Sequence, residues 1–342
     1  MKRAKAIFLI TIFLVCLAGC GGNAEEEEKE LLTFSPVGEI VDGQPDIYVI
    51  VKVKDSQYWQ KVQDGTAAAG REAGANIYVG GTESENDISG QTSLLETALE
   101  KKADAVLIAP LDSEAMADSI KEAYSKDIPI VLIDTIINSN DYDVCYMTDN
   151  MDAGKMAARE MLRLLKESGL TVKEDAKVAI QVGVVHSQSI IDRLAGFNAY
   201  WAVNAPDRWE VLEAVESDNG DKERAKEVTE KILKENQDIQ GIYCTNDIST
   251  SGAASELLRQ GREDVVLAGF DYSNEMAALL NAEENYGVTV VQQQYQMGYQ
   301  GVKAAMEILA GEKPERKFVD TGVFIVDRMN AVAEEVRQRL MD

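Results

Sequence analysis

A chain of 342 residues is too long for one ordinary hydrophobic core, so two lobes of roughly 120–150 residues each are expected. Its formal net charge of −25, from 34 basic and 59 acidic side chains, excludes nucleic acid as a partner, because no basic surface exists to neutralise phosphates. That charge also gains nothing at an anionic membrane surface, so any membrane attachment needs a device other than electrostatics.

The first 19 residues open on Lys2, Arg3 and Lys5 and continue in an apolar stretch over 6–17, short for a bilayer span. The stretch ends in Leu17-Ala18-Gly19-Cys20, which resembles the lipobox of bacterial lipoproteins. The resemblance implies a signal peptide over 1–19, cleaved before Cys20, with a diacylglyceryl group on the Cys20 thiol. A plain secretory signal or an anchor helix is the rival reading. Basic start, apolar run, motif and the following Gly21-Gly22 agree on lipidation. Residues 20–45 include the charged, low-complexity run from Asn23 to Glu30 and read as a flexible acidic tether. Roughly 25 such residues reach about 25–30 Å. Removal of 1–19 takes away three basic groups and no acid, moving the charge from −25 to −28.

From Asp46 onward short apolar runs alternate with longer amphipathic ones. The pattern predicts strands over 47–53, 76–80, 105–109, 130–134, 144–147, 177–181, 210–214, 241–244, 265–269 and 287–291. Between them it predicts helices over 57–72, 91–101, 151–167, 190–203, 222–234 and 295–309. Strand-helix alternation of this kind gives an α/β fold of Rossmann-like lobes with parallel sheets. Within 57–72, Trp59, Val62, Thr66 and Ala69 recur at helical spacing and form a core-facing stripe. The glycines at 65 and 70 suggest a phosphate loop, but Arg71-Glu72 follow them where Lys then Ser/Thr is required, and inside a helix. Residues 326–342 read as a closing segment and a surface helix without chemistry.

Catalytic and metal chemistry finds little support. His186 is the single histidine and no C-x-x-C pair exists, so neither a zinc site nor another metal or cofactor is expected. Cys145 and Cys244 lie in short apolar runs and read as buried core residues, with a disulfide as the alternative. One histidine and no G-x-S-x-G elbow argue against a Ser-His hydrolase. A two-carboxylate glycosidase is the enzyme reading left, and turnover would reveal it.

In open α/β sheets ligands bind beyond the carboxyl ends of the strands. Polar residues end several apolar runs there: Asp134, Asn246-Asp247, Asp271 and Gln292. Each could be a helix cap; four together at carboxyl ends point to a ligand site.

At this point the chain resembles the type I periplasmic sugar-binding proteins, of the ribose-binding and repressor-ligand-domain kind, over about residues 46–327. The residues that carry the resemblance are Lys54-Asp55-Ser56-Gln57-Tyr58-Trp59, Asp64-Gly65, Pro110-Leu111-Asp112-Ser113, Ile133-Asp134, Thr148-Asp149-Asn150, Arg193-Leu194-Ala195-Gly196-Phe197, Thr245-Asn246-Asp247 and Gly269-Phe270-Asp271. It implies two lobes joined by a three-crossover hinge near Thr148–Asp149, Gln292 and Thr321. The first lobe would take 46–148 and 293–321, the second 149–292 and 322–342. Tyr58 and Trp59 would pack on the faces of a sugar. Asp134 and Asp271 would accept from its hydroxyls, Arg193 would donate, and Asn246 and Gln292 would do both. An interlobe salt bridge is the other role open to Arg193. Ser56 stands where ribose-type relatives often carry Asn. Asp134-Thr135 stands where they carry Asp-Arg, so one donor is missing.

The resemblance implies a monomeric extracytoplasmic solute-binding lipoprotein of an ABC importer, not an enzyme, binding a sugar or sugar-like polyol and meeting a permease. A repressor would carry a helix-turn-helix in place of the leader. A tethered sensor for a receptor kinase or chemoreceptor is the alternative.

Overall fold

The computed structural model describes residues 33–282 and 286–341. The leader, Cys20 and the acidic run after it lie outside the described residues. In chain order the first half holds β1 (Ser35–Val37), β2 (Asp46–Val53), α1 (Gln57–Ala73), β3 (Asn76–Thr82), α2 (Ile88–Glu100), β4 (Ala105–Ile108), α3 (Ala117–Tyr124), β5 (Ile130–Ile133), β6 (Val144–Met147) and α4 (Asn150–Glu167). Then come β7 (Ala176–Val182), α5 (Gln188–Asn204), β8 (Trp209–Ser217), α6 (Lys222–Glu235), β9 (Gly241–Cys244), α7 (Asp247–Gln260), β10 (Val266–Phe270), α8 (Asn274–Asn281), β11 (Gly287–Gln292), α9 (Gln294–Leu309), β12 (Phe318–Asp320), β13 (Val323–Asp327) and α10 (Glu334–Met341).

Two sheets result, ordered β1-β3-β2-β4-β5-β6-β12 and β13-β11-β10-β9-β7-β8. Pairing is parallel except at the edges, where β1 runs antiparallel to β3 and β13 to β11. Central strands read as unbroken apolar runs because helices cover both faces. In β2 the alternation is visible within the core itself. Ile47, Val49 and Val51 pack with Trp59 and Val62 of α1 and Met297 of α9, whereas Tyr48 and Ile50 pack with Leu94 of α2 and Ile120 of α3. Each such fully buried side chain stabilises the lobe by about 1.5–3 kcal/mol. The second sheet is layered likewise, with α4 and α5 on one face and α6, α7 and α8 on the other.

The chain passes between the sheets three times: between β6 and α4, between β11 and α9, and between β12 and β13. The expected two-lobed α/β architecture with a three-crossover hinge is therefore the observed one. One expectation needs correction. Residues 20–45 were expected to be flexible throughout, but Ser35–Val37 forms β1. Phe34 supplies the reason. Its ring meets Tyr48 edge-on at 4.7 Å and lies over Gly80, whose missing side chain leaves it room.

Cys145 in β6 and Cys244 in β9 are buried free thiols on different sheets, which excludes the disulfide alternative. Burial pushes both thiols up. Among the described residues no helix is long and apolar enough to cross a membrane.

Candidate functional site

The carboxyl ends of both sheets face one cleft of about 510 Å³, part of it open to solvent. All eight expected residues line it: Ser56, Tyr58, Trp59 and Asp134 from the first lobe, and Arg193, Asn246, Asp271 and Gln292 from the second. The lobes touch along its rim. Gln188 donates its backbone N–H to Ser113 Oγ at 3.1 Å, and Asn86 Nδ2 donates to the Asn219 carbonyl at 2.7 Å.

The two aspartates occupy matching positions. Asp134 directly follows β5 and Asp271 directly follows β10, and both adopt left-handed backbone, with φ of 63° and 64°. Each backbone N–H still continues the parallel ladder, Asp134 to the Tyr146 carbonyl and Asp271 to the Val290 carbonyl, both at 2.9 Å. The left-handed turn ends the strand sharply, a conformation that Asp tolerates better than most residues.

Around Asp134 three of the four acceptor sites are filled. Tyr58 Oη donates to Oδ1 at 2.6 Å, while Lys52 Nζ and Thr135 Oγ1 approach Oδ2 at 2.9 and 2.7 Å. Burial pushes this carboxyl up, but the Lys52 ammonium and the Tyr58 hydroxyl outweigh it and hold the group below its ordinary value. Burial first, then the Asp134 and Asp271 charges, keep the Tyr58 phenol well above its usual range, so it remains a donor.

Sequence reasoning missed Lys52. The donor absent at Thr135 is replaced from β2, where Lys52 Nζ also donates to Thr135 Oγ1 at 2.8 Å and reaches Ser187 Oγ of the second lobe at 3.4 Å. Strand parity places Lys52 in the row of Tyr48 and Ile50, one step past the end of the core. A lysine inside the otherwise apolar run DIYVIVKV was the available signal. Glu85, Ser187 and Ser189 also line the cleft and were not singled out; Asp247, read from the sequence only as a polar residue at a strand end, lines it too.

In the second lobe Arg193 is 2% exposed. Its Nε donates to Asn150 Oδ1 at 2.7 Å, Nη1 donates to the Thr245 carbonyl at 2.9 Å, and the guanidinium lies 4.1 Å from the Phe270 ring centre. Among the described residues Arg193 forms no interlobe salt bridge, and its Nη2 makes no hydrogen bond. Asn246 caps α7 by accepting from the Ser249 N–H at 3.1 Å, which leaves its amide N–H groups for the cleft. Ser56 likewise accepts from the Trp59 N–H at 3.2 Å as the cap of α1. Cap and cleft-lining residue are thus the same residue twice, not alternatives.

Asp271 accepts from Gln292 Nε2 at 3.0 Å and from Gln294 Nε2 at 2.9 Å. Gln292 Oε1 in turn accepts from Thr148 Oγ1 at 3.0 Å, so two interlobe crossings converge on this carboxylate. Burial raises Asp271 to about 6 against the pull of Arg193 and Gln292, with the Asp134 charge adding to the rise. Asp247 rises to about 7 through burial and the charges of Asp271 and Glu275.

Buried rings with C–H surface on one side and fixed donors and acceptors on the other suit a small polyhydroxylated molecule. A family described as "Periplasmic binding protein domain" matches residues 47–313. The ribose import binding protein of Bacillus subtilis is 26% identical over 318 residues, 92% of this chain and 96% of that protein. A carbohydrate transporter solute-binding protein from Agrobacterium radiobacter, solved with D-arabinose, superposes with a TM-score of 0.82 at 28% identity, covering 88% of this chain and 100% of that one. An ABC transporter solute-binding protein from Agrobacterium vitis with bound D-fucose gives 0.78 at 31% identity, covering 85% and 98%.

Proposed function

Because the chain belongs to the periplasmic binding protein domain family, we propose that it captures a sugar or sugar-like polyol outside the cytoplasm and delivers it to an ABC permease, held at the membrane by a lipid on Cys20. The observation that carries this reading is the pair of matched aspartates, one directly after a strand in each lobe, lining one cleft with Tyr58, Trp59 and Arg193. Relatives whose names specify ribose, D-arabinose and D-fucose support a monosaccharide-sized ligand.

The mechanism follows from the groups present. Tyr58 and Trp59 offer ring faces to C–H patches, and closing the lobes removes water from the polar edge of the same molecule. Asn246, Arg193 Nη2 and the remaining lone pair on Asp271 Oδ2 meet its hydroxyls. Nothing is transformed; the family is one of binding proteins rather than enzymes. Closure creates a joint surface from both lobes, which a permease can read.

A thermal-shift screen over pentoses, hexoses and inositols tests the reading. A true ligand at about 100 times its dissociation constant adds about 2.7 kcal/mol to folded-state stability and raises the melting temperature. The absence of any shift across the set, with calorimetry equally silent, would overturn it.

A further inference from the structure

Six charged side chains line the cleft: the cations Lys52 and Arg193, and the carboxylates Glu85, Asp134, Asp247 and Asp271. Of the two cations, only Lys52 is neutralised by a carboxylate of the cleft. Lys52 is paired with Asp134 and hydrogen-bonded to Thr135, and Arg193 is held by Asn150 and the Thr245 carbonyl. Asp271 receives only neutral amides. Among the described residues the side chains of Glu85, in the first-lobe loop after β3, and Asp247, the first residue of α7, make no hydrogen bond or ion pair. The lining thus carries two more acids than bases, and the two unpaired carboxylates come from opposite lobes.

In an open cleft water solvates both groups. Closing removes that water, and two like charges then share a confined space, which is unfavourable unless one takes up a proton or a cation arrives with the ligand. Burial raises both groups, and each feels further acids: Glu85 those of Asp134 and Asp218, Asp247 those of Asp271, Glu275 and Glu85. Lys52 opposes the rise at Glu85, and Lys222 opposes it at Asp247. The N-terminus of α7 favours a negative Asp247 but supplies no counterion to Glu85. Among the described residues no three His, Cys, Asp or Glu are placed to hold a metal ion.

We infer that the sugar taken by this cleft carries a primary amine, whose ammonium donates to Glu85 and Asp247 when the lobes close; the inference rests on the sugar-binding reading above. An ammonium brings three donors and one positive charge, matching two unpaired carboxylates better than a hydroxyl does. Calorimetry with D-glucosamine, D-galactosamine, D-mannosamine and 6-amino-6-deoxy-D-glucose, each beside its parent hexose and its N-acetyl form, tests it. One amine should bind about 10-fold or more tighter than both its uncharged counterparts, the size of one charge-assisted hydrogen bond. In a Glu85→Gln/Asp247→Asn double variant, amine and parent should bind within about threefold of each other. Equal affinity for the parent or N-acetyl form overturns the inference and leaves sugar binding standing. An amine preference that survives in the folded double variant also overturns it. No binding by sugars of either kind removes both readings.

Discussion

Arg193 and Asp271 show how much one cleft side chain is asked to do. Arg193 fills the acceptors of Asn150 and Thr245 and stacks on Phe270, and the proposed site gives its Nη2 to the ligand. Truncating a charged member of such a desolvated network costs about 2–5 kcal/mol of binding, so Arg193→Ala and Asp271→Ala should each weaken sugar affinity by about 30-fold or more in calorimetry. Arg193→Ala should also lower the melting temperature, since two buried acceptors lose their donor. Acidity gives a second residue-scale prediction. Asp271 and Asp247 bind protons more tightly folded, at about 6 and 7, than the 3.8 of the unfolded chain. Folding therefore takes up protons between these limits, and stability falls as pH rises from about 4 to 8. The groups facing them are Arg193, Gln292 and Asp134 at Asp271, and Asp271, Glu275, Lys222 and Glu85 at Asp247. The ligand-free protein should melt at least about 2 °C higher at pH 5.5 than at pH 8, and an Asp247→Asn/Asp271→Asn variant should lose most of that difference. Asp134, held low, contributes in the opposite sense and only as pH drops through its depressed value.

Helix pairing explains why these side chains stay in place. On α4 and α5, a Cβ added at Gly154 would lie 2.2 Å from the Arg193 carbonyl oxygen, and one at Gly196 would lie 2.0 Å from that of Met151. The first lobe repeats the device, where Gly65 meets the Tyr295 carbonyl oxygen at 2.1 Å and Gly298 that of Val62 at 2.2 Å. Gly196→Ala should force α4 and α5 apart, destabilise the fold by about 1–3 kcal/mol in urea unfolding, and weaken sugar affinity by moving Arg193. Gly196 was visible in the sequence as part of a motif, but the carbonyl packed against it was not. The same limit decided which elements were legible. The strands around Asp134 and Asp271 stood out because parallel strands buried on both faces are apolar without interruption. Helix α7 did not, because DISTSGAASELLRQ is rich in Ser and other small residues and shows little periodicity; its start at Asn246 and its stop at Gly261, with φ of 63°, come from caps rather than from pattern. β1, β12 and β13 escaped for a different reason: the pairing that makes three to five residues a strand is tertiary. Lys52 was hidden by the strand around it, since a charge is read as exposed until its partner across the sheet, Asp134, is known.

At the scale of the whole chain, the three crossings between sheets define a hinge, and Thr148, Gln292 and Gln294 tie two of them to the carboxylate of Asp271. In the proposed site, ligand contact at Asp271 would act on these crossing segments. Saturating sugar should reduce the radius of gyration in X-ray scattering, and an unchanged scattering curve would remove the clamshell mechanism. Attachment gives the last prediction. A diacyl group gains about 0.8 kcal/mol per buried methylene, so a Cys20→Ala protein should lose fatty-acid labelling and leave the membrane fraction, or remain unprocessed. Retained processing with retained label would rule out lipidation at Cys20. Strand β1 then takes on a mechanical meaning. It fastens the chain to the outer edge of the first sheet through β3, with Phe34 wedged against Tyr48, on the side of that sheet remote from β6 and β12, whose ends lead into two of the crossings. A tug along the chain from residue 33 is thus borne by one rigid sheet, and the bending segments carry no load. If Cys20 carries the proposed lipid, the protein would clasp and release its cargo with the same effort whether the leash is slack or taut.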